Sequence, residues 1–262
     1  MKTVLTIAGS DCSGGAGVQA DIKTITVHGL YAMSVITALT AQNTTGVYGI
    51  QAVSPEWIAR QIDCVFEDIR PDAVKLGMLP NAAAAEAAAE RLACHQAKNI
   101  VIDPVMVSTS GSTLMDKEAR EILLTRLAPM ARILTPNLPE AQTLCGFGIQ
   151  NHGDMQRAAE AIAKTTRTAV LIKGGHLSGG ADDVLFYREN PHWFYSERID
   201  TPNTHGTGCT LSSAIACSLA TGFTLEQSVQ KAKDYLTGAL KAGLDLGKGS
   251  GPLWHAYEYF GR

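Results

Sequence analysis

The segment Gly206-Thr207-Gly208-Cys209 has the clearest chemical potential in the sequence. Two glycines bracket a threonine, and a run of small and apolar residues typical of a helix begins directly afterwards. Glycine lets the backbone turn so that successive N–H groups point one way, and a helix start adds about half a positive charge. The segment therefore predicts a hole for an anion such as a phosphoryl group in transfer; a plain glycine-rich turn before a helix is the alternative.

Other polar residues follow predicted strands. They are Gly9-Ser10-Asp11, Gln42-Asn43, Asp103, Asn137 and Lys173. Because ligands of parallel α/β sheets bind at the carboxyl ends of the strands, we expect these residues to converge on one site. This expectation depends on the strand assignment.

The elements that must position these residues alternate along the chain. The predicted strands, rich in Val, Ile and Leu, are 3–8, 34–40, 73–77, 99–103, 132–135 and 169–173, with an antiparallel hairpin at 183–187 and 192–195 around Asn190-Pro191. The predicted helices are 17–28, 55–68, 82–97, 117–128, 139–145, 154–166, 207–221 and 225–242. This alternation predicts one three-layer α/β/α domain over residues 1–262, with a mostly parallel central sheet.

Composition excludes several classes of protein. The 262 residues are 45% hydrophobic and 18% charged, with a net charge of −3, which is unlike the basic footprint of a nucleic-acid binder. No apolar stretch approaches the ~20 residues of a membrane span, and the N-terminus reads directly into a strand. We therefore expect a cytoplasmic protein with neither a membrane nor a nucleic acid as partner. The six cysteines include no Cys-x-x-Cys pair, so no zinc site is predicted.

The loop at residues 9–17 contains four glycines. It is not a P-loop, because no Gly-Lys-Ser/Thr follows, and its glycines do not fit the Gly-x-Gly-x-x-Gly dinucleotide fingerprint. We expect these glycines to let the backbone approach an organic substrate closely.

Several motifs in fixed order carry a family resemblance. They are Leu5–Asp11, Ser13–Asp21, Ala73–Leu79, Asp103–Met106, Thr135–Ala141, Lys173–His176 and His205–Ala214. Together they resemble the ribokinase-like kinases. Cys209 stands where most members carry an Asp base, and this is similar to the hydroxymethylpyrimidine/phosphomethylpyrimidine kinases of thiamin synthesis. The motifs run from residue 3 to beyond residue 213, so the resemblance covers nearly the whole chain.

The resemblance implies a ribokinase-like fold, ATP and Mg²⁺ as cofactors, a small-molecule substrate and a homodimer. Asn137 and Glu140 match a motif associated with Mg²⁺, usually through water, and Asp103 is a second candidate carboxylate. Lys173 is implied to contact the polyphosphate, with Asn137 and Thr207 also at the nucleotide. A helix-start residue favoured by the helix dipole is the alternative for Glu140, and Asp103 also has a purely structural alternative.

The resemblance places the acceptor beside the glycine-rich loop, with Gly9 and Asp21 close to it. The alternative for Asp21 is a cap or a structural hydrogen bond. The Gln42 carboxamide offers a donor beside an acceptor, which suits the edge of an aminopyrimidine; a solvated loop residue is the alternative. Met78 and Val105 are predicted to line the two faces of the pyrimidine ring. The alternative is that both are ordinary core residues.

Cys209 is the predicted catalytic base, with Gly206, Thr207, Gly208 and Lys173 stabilising charge. A helix N-terminus lowers a thiol pKa from its usual value of about 8.5, so a thiolate would accept the alcohol proton near neutral pH. The predicted reaction is ATP-dependent phosphorylation of 4-amino-5-hydroxymethyl-2-methylpyrimidine and then of its monophosphate. The monophosphate is already ionised, so its phosphorylation needs no base. A weak base is therefore tolerable in an enzyme that catalyses both reactions.

Three other functions stay open from the sequence. The first is a pyridoxal kinase, against which Gln42 argues. The second is a Cys209-dependent hydrolase or transferase with His205 or His176 as base, although we expect both histidines to orient loops. The third is a non-catalytic ligand-binding protein on the same fold. The polar loop 106–116 is in addition a candidate flap over the substrate.

Overall fold

The computed structural model describes residues 1–107, 111, 113–175 and 180–260. Its strands are β1 (Thr3–Asp11), β2 (Tyr31–Asn43), β3 (Gly46–Ala52), β4 (Ala73–Leu76), β5 (Ile100–Ile102), β6 (Ile133–Leu134), β7 (Ala169–Ile172), β8 (Asp183–Tyr187) and β9 (Asn190–Phe194). Its helices are α1 (Gly17–Val27), α2 (Pro55–Asp68), α3 (Ala82–Cys94), α4 (Lys117–Ile122), α5 (Leu138–Cys145), α6 (His152–Thr166), α7 (Thr207–Ala220), α8 (Leu225–Lys241) and α9 (Tyr257–Phe260).

The strands of the described ranges form one nine-stranded sheet in the order β3-β2-β1-β4-β5-β6-β7-β8-β9. From β2 to β7 in that order, neighbouring strands pair in parallel. Strand β3 joins one edge antiparallel, and β8 and β9 extend the other edge antiparallel. The predicted α/β fold with a mostly parallel sheet is therefore confirmed.

Two apolar clusters cover the two faces of the sheet. Leu5 and Leu76 pack with α2 to α6 on one face, whereas Val4 and Val101 pack with α1, α7 and α8 on the other. Val4 and Leu5 lie on opposite faces because successive side chains of a strand alternate in direction. These clusters make the three layers that the sequence predicts. None of the described helices is long and apolar enough to cross a membrane.

The hairpin at the β9 edge turns at a different place from the predicted one. Pro191 lies inside β9 and pairs with Phe186, while the turn falls at Arg188 and Glu189, whose φ values are 50° and 63°. A proline is tolerated there because β9 is an edge strand, where a missing N–H need not break a ladder. The predicted antiparallel edge hairpin is confirmed, but Asn190-Pro191, which the prediction placed between the strands, belongs to β9.

The β2–β3 edge was only partly predicted. Strand β2 extends beyond the predicted 34–40 at both ends, and β3 was not predicted at all. Most residues of β3 are exposed, so it lacks the buried apolar run that marks the other strands. The extension of β2 places Gln42 within paired strand rather than in a loop, opposite Val47.

The predicted helix 117–128 is α-helical only as far as Ile122. It widens into a π-helical turn at Leu123–Leu127 and ends in a 3₁₀ turn at Ala128–Met130. Pro129 lacks an N–H and cannot continue the α-helical hydrogen bonding, which accounts for the change near the end.

Candidate active site

A cavity of about 740 Å³ lies at the carboxyl ends of the parallel strands. It brings together twelve of the thirteen predicted site residues: Gly9, Gln42, Met78, Asp103, Val105, Asn137, Glu140, Lys173, Gly206, Thr207, Gly208 and Cys209. Eight of them lie close to the carboxyl end of a parallel strand, whose shared edge accounts for their convergence, and Gly206 to Cys209 lie at the start of α7. Asp21 is the exception.

Asp21 has no exposed surface and does not line the cavity. Thr6 Oγ1 and Lys75 Nζ donate to its Oδ2 at 2.6 and 2.8 Å, and Ser213 Oγ donates to its Oδ1 at 2.8 Å. Its carboxylate thus joins β1, α1, β4 and α7 beneath the cavity. The predicted contact between Asp21 and a substrate is wrong, because no ligand in the cavity reaches a carboxylate enclosed in this way.

The start of α7, where the sequence predicts an anion hole, lies at the cavity. Gly206 caps the helix with φ +85°, and a side chain there would collide with the carbonyl oxygen of Gly15. The N–H groups of Gly208 and Cys209 find no acceptor in the part of the chain that the structure describes. First-turn N–H groups lack helical partners, and together with the helix dipole they favour an anion. They face the cavity and are available to a phosphoryl oxygen.

A lysine–aspartate pair lies against this turn. Lys173 Nζ donates to Asp103 Oδ1 at 2.8 Å. A Cβ on Gly208 would lie 3.0 Å from Asp103 Oδ2 and 3.3 Å from Lys173 Nζ, so only glycine lets the turn approach the pair this closely. Burial lowers the pKa of Lys173, but the charges of Asp103 and Glu140 outweigh it and raise the pKa above its usual value. Lys173 is therefore a fixed positive charge beside the anion hole.

Glu140 and Asn137 form a capping box at the start of α5. The N–H of Glu140 donates to Asn137 Oδ1 at 2.9 Å, and the N–H of Asn137 donates to Glu140 Oε2 at 2.8 Å. The N–H of Met106 lies 3.4 Å from Glu140 Oε1. Burial raises the pKa of the Glu140 carboxyl to about 7, although the charge of Lys173 opposes this shift. Both of its oxygens already accept backbone N–H groups.

Cys209 does not have the lowered pKa that we predicted from its helix position. Burial raises the pKa of its thiol to about 11; Lys75 lowers it, while the carboxylates of Asp21 and Asp103 raise it further. A hydrogen bond from the Gly17 N–H to the thiol lowers the pKa but does not offset burial. The thiol is protonated at neutral pH in the ligand-free protein.

The other end of the cavity is apolar. Met78 packs with Ala38 and Leu114, and the partly buried Val105 packs against them. A Cβ on Gly9 would lie 3.0 Å from Met78 Sδ, so glycine leaves room beside this cluster. The arrangement fits a flat aromatic ring, as the sequence predicts for Met78 and Val105.

Two further cavity residues lie beside Gln42: His205, which we expect from the sequence to orient a loop, and Asp11, to which the sequence assigns no specific role. His205 Nε2 is 2.8 Å from Asp11 Oδ2 and 3.4 Å from Gln42 Nε2. Asp11 also accepts the backbone N–H groups of Ser13 and Ala16 at 2.9 and 2.8 Å, which holds the glycine-rich loop. Burial raises the pKa of Asp11, but the hydrogen bonds from His205 and this loop lower it to about 2. The position of Asp11 at the end of a predicted strand is the sequence feature that could have identified it as a site residue.

A second ion pair at the cavity was missed altogether. Lys233 Nζ donates to Asp183 Oδ2 at 2.6 Å, and the N–H of Gly174 donates to Asp183 Oδ1 at 2.9 Å. Both side chains line the cavity with Leu236 of α8. Lys233 lies within an amphipathic helix and has no motif around it, so the sequence held no signal for this pair.

The candidate flap is only partly within the described residues. Val107 bridges Thr113, and the N–H of Leu114 donates to the Met106 carbonyl at 2.9 Å, which closes the base of the loop. The polar residues that suggested a flap (Ser108, Thr109, Ser110 and Ser112) lie outside the described residues, as does His176.

The fold and the site define a kinase of the ribokinase-like class, with an anion hole at a helix start and polar residues at the strand ends of a mostly parallel sheet. A family model described as Phosphomethylpyrimidine kinase matches residues 11–254. The chain belongs to this family, whose members are phosphotransferases. The predicted family and enzyme class are thereby confirmed.

Individual relatives agree with the family assignment. The chain is 48% identical over 254 residues to the thiamine biosynthesis bifunctional protein ThiED of Geobacter sulfurreducens, covering 97% of this chain but 52% of that protein. It is 47% identical to a hydroxymethylpyrimidine/phosphomethylpyrimidine kinase of Streptomyces coelicolor, covering 97% of this chain and 94% of the relative. An ADP complex of Bacillus subtilis pyridoxal kinase superposes with a TM-score of 0.90 at 38% identity, covering 98% of each chain.

Proposed function

We propose that this protein transfers the γ-phosphoryl group of ATP to the hydroxymethyl oxygen of 4-amino-5-hydroxymethyl-2-methylpyrimidine, and then phosphorylates the monophosphate, as steps of thiamin biosynthesis. The observation that carries the proposal is one cavity with an apolar end, suited to a flat ring, and a candidate anion hole. Met78 and Val105 line the apolar end, and the N–H groups of Gly208 and Cys209 form the candidate hole. The hydroxymethylpyrimidine/phosphomethylpyrimidine kinase of Streptomyces coelicolor supports the choice of substrate.

Phosphoryl transfer depends on position and charge more than on covalent chemistry. The hydroxymethyl oxygen forms a bond to the γ-phosphorus while the bond between that phosphorus and ADP breaks in line. The start of α7 stabilises charge on the transferring oxygens, and Lys173 neutralises the polyphosphate. Asn137 and Thr207 line the same part of the cavity and are placed to contact the nucleotide.

The hydroxyl proton passes to Cys209 in this mechanism. Since the pKa of the thiol is about 11 in the free protein, only a small thiolate fraction exists at neutral pH. The monophosphate acceptor is already ionised and has no proton to lose, so its phosphorylation does not depend on the thiolate. The two steps therefore separate the role of Cys209 from that of the anion hole.

Asp103 and Glu140 fit Mg²⁺ through water rather than by direct coordination. Asp103 is paired with Lys173, and the oxygens of Glu140 accept backbone N–H groups. No cluster of three or more His, Cys, Asp or Glu side chains suited to a metal occurs within the described ranges. Mg²⁺ retains several waters and needs few protein carboxylates, and when bound with the nucleotide it neutralises phosphate charge.

The test is ADP release by the purified protein with MgATP and the hydroxymethylpyrimidine, and then with its monophosphate. We expect turnover of both. Absence of ADP with either acceptor, from a protein that is folded by circular dichroism, contradicts the proposal.

A pyridoxal kinase is the second candidate, because a pyridoxal kinase shares the fold at a TM-score of 0.90 and 38% identity. Gln42 favours the pyrimidine, because its carboxamide presents a donor beside an acceptor. The same assay with pyridoxal separates the two functions. Faster turnover of pyridoxal than of the pyrimidine, with little use of the monophosphate, would favour the second.

Three further predictions accompany this function. We propose that residues 1–262 act as a single kinase domain, that the protein is a homodimer, and that it works in the cytoplasm. Light scattering and cell fractionation test the last two.

A further inference from the structure

His205 lies where the glycine-rich loop meets Gln42, and it is almost fully enclosed. Its side chain is 6% exposed and that of its partner Asp11 is 3% exposed. A Cβ on Gly15 would collide with the His205 ring, so the ring fills the space that this glycine leaves. The backbone N–H of His205 donates to the Gly251 carbonyl at 3.1 Å, which anchors it from the other side.

The contact with Asp11 determines which nitrogen of His205 carries a hydrogen. Asp11 Oδ2 lies 2.8 Å from His205 Nε2, and an ionised carboxylate only accepts hydrogen bonds. Nε2 must therefore carry a hydrogen and donate it. This holds for the neutral ring and for the charged ring, so it does not depend on the protonation state of His205.

The orientation of the Gln42 carboxamide then conflicts with its surroundings at both atoms. Its Nε2 faces His205 Nε2 at 3.4 Å, which brings two donors together. Its Oε1 faces Thr40 Oγ1 at 3.2 Å, but the single hydroxyl hydrogen of Thr40 already points to the Ser10 carbonyl at 2.9 Å. Exchanging the oxygen and nitrogen of the amide removes both conflicts. An oxygen then faces His205 Nε2 and shares its single hydrogen with Asp11 in a three-centre bond, while an N–H faces Thr40 Oγ1.

We propose that His205 is a specificity-determining positioning residue, whose Nε2–H holds the Gln42 carboxamide with its oxygen toward His205 and its nitrogen toward Thr40. In this orientation the Gln42 oxygen accepts the longer branch, at 3.4 Å, of a three-centre bond from His205 Nε2–H, whose nearer acceptor is Asp11 at 2.8 Å, and the Gln42 nitrogen donates to Thr40 Oγ1. One acceptor site on the oxygen and one N–H remain for a ligand. Their order in space is then set by the protein before any ligand arrives.

This order predicts how an aminopyrimidine lies, and this part rests on the proposed function. The exocyclic amino group donates to the Gln42 oxygen on the side of His205, and the adjacent ring nitrogen accepts from the Gln42 N–H on the side of Thr40. His205 directly precedes the turn that contains Cys209. The hydroxymethyl carbon neighbours the amino carbon, so this pose places the hydroxymethyl group on the side of His205. The opposite amide orientation would place it on the side of Thr40.

The amide orientation is tested without substrate. In protein labelled with ¹⁵N-glutamine, the side-chain N–H signals of Gln42 are identified by their loss in Gln42→Glu. We expect nuclear Overhauser contacts from these hydrogens to the Thr40 methyl group. Contacts to the His205 ring hydrogens instead would overturn the proposal. This result is independent of turnover, so a failure of the proposed function remains distinguishable.

Specificity is tested with full-length His205→Phe and His205→Gln. The readout is kcat/KM for the aminopyrimidine divided by that for the analogue without the amino group, a ratio insensitive to general loss of active protein. We expect His205→Phe to lower the ratio about tenfold, because the carboxamide is free to turn. His205→Gln keeps an N–H donor and should stay within about threefold of the parent protein. In a Gln42→Ala background, His205→Phe should leave the ratio unchanged. An unchanged ratio in His205→Phe alone, or a change that persists without Gln42, contradicts the positioning role.

Discussion

Two lysine–aspartate pairs of the same geometry have different surroundings. Lys75 Nζ and Asp21 Oδ2 are 2.8 Å apart and wholly enclosed, with neither side chain exposed. Lys173 Nζ and Asp103 Oδ1 are also 2.8 Å apart, but the lysine is 16% exposed and the pair lines the cavity. The first pair ties together elements beneath the site, whereas the second presents a charge to the ligand.

The comparison shows that access to the cavity, rather than the ion pair itself, separates a structural from a functional role. A fully enclosed pair loses the hydration of both charges and gains stability only through good geometry and additional hydrogen bonds. Asp21 has these bonds, from Thr6 and Ser213. Lys173 lines the cavity, where the proposed polyphosphate would supply it with further acceptors.

The largest effect on this comparison should come from Lys75→Met. It leaves the Asp21 carboxylate buried without its counter-charge, which typically costs about 3–5 kcal/mol of unfolding free energy. Urea denaturation followed by circular dichroism measures the loss. The matched control is Lys2→Met, which removes the exposed Lys2–Asp72 pair and should cost at most about 1 kcal/mol. Equal losses in the two variants would show that enclosure is not what matters.

Lys173→Met should act on catalysis instead. Loss of one preorganised charge at a transferring group typically lowers kcat by about 10²–10³-fold. We expect a loss of this size with both acceptors, because both reactions need the polyphosphate neutralised. The unfolding free energy should fall less than in Lys75→Met, because the Lys173 pair lines the cavity whereas the Lys75 pair is wholly enclosed. An active but strongly destabilised Lys173→Met protein would reverse the assignment of the two pairs.

The positions of most site residues follow from the sequence by elementary topology. Lys173, Asp103 and Gln42 each come at or near the end of a strand, and parallel strands end on one edge of a sheet. The short Val- and Ile-rich runs made the strands recognisable, so the convergence needed no knowledge of packing.

What the sequence did not predict depends on partners far along the chain. Asp21 belongs to the same loop-and-helix segment as Gly9. Its carboxylate is nevertheless buried beneath the cavity, where it accepts a hydrogen bond from Lys75, 54 residues later in the chain. The pKa of Cys209 depends on burial by other elements, whereas the helix start visible in the sequence predicts only the smaller, opposite effect. Lys233 reaches the cavity from α8 because Asp183 on β8, 50 residues earlier in the chain, accepts its hydrogen bond.

Cys209 provides the next test, at the turn that lies against the Lys173 pair. If its thiolate takes the alcohol proton, kcat/KM for the hydroxymethylpyrimidine should rise about tenfold per pH unit between pH 7 and 9. Both values lie below the thiol pKa of about 11, so each unit raises the thiolate fraction tenfold. The monophosphate loses its last proton near a pKa of about 6, so its phosphorylation should change little over this range.

Cys209→Ser is the control for this pH dependence. It should lose about 10²-fold or more in the alcohol step, become independent of pH there, and lose much less in the phosphate step. Equal losses in both steps would show that the Cys209 thiol is not the base. Residue 209 would then contribute to catalysis only through its backbone N–H.

The smallest expected effect is a partial rescue within the enclosed pair. Adding Asp21→Asn to Lys75→Met removes the uncompensated charge, while the amide oxygen still accepts one of the two hydroxyl hydrogen bonds. We expect the double variant to regain about 1–2 kcal/mol over Lys75→Met, measured by the same denaturation. The corresponding addition of Asp103→Asn to Lys173→Met should regain no activity, because the missing charge acts on the ligand and not on Asp103. Two results would contradict the distinction between a structural and a functional pair. One is a regain of activity when Asp103→Asn is added to Lys173→Met, and the other is no regain of stability when Asp21→Asn is added to Lys75→Met.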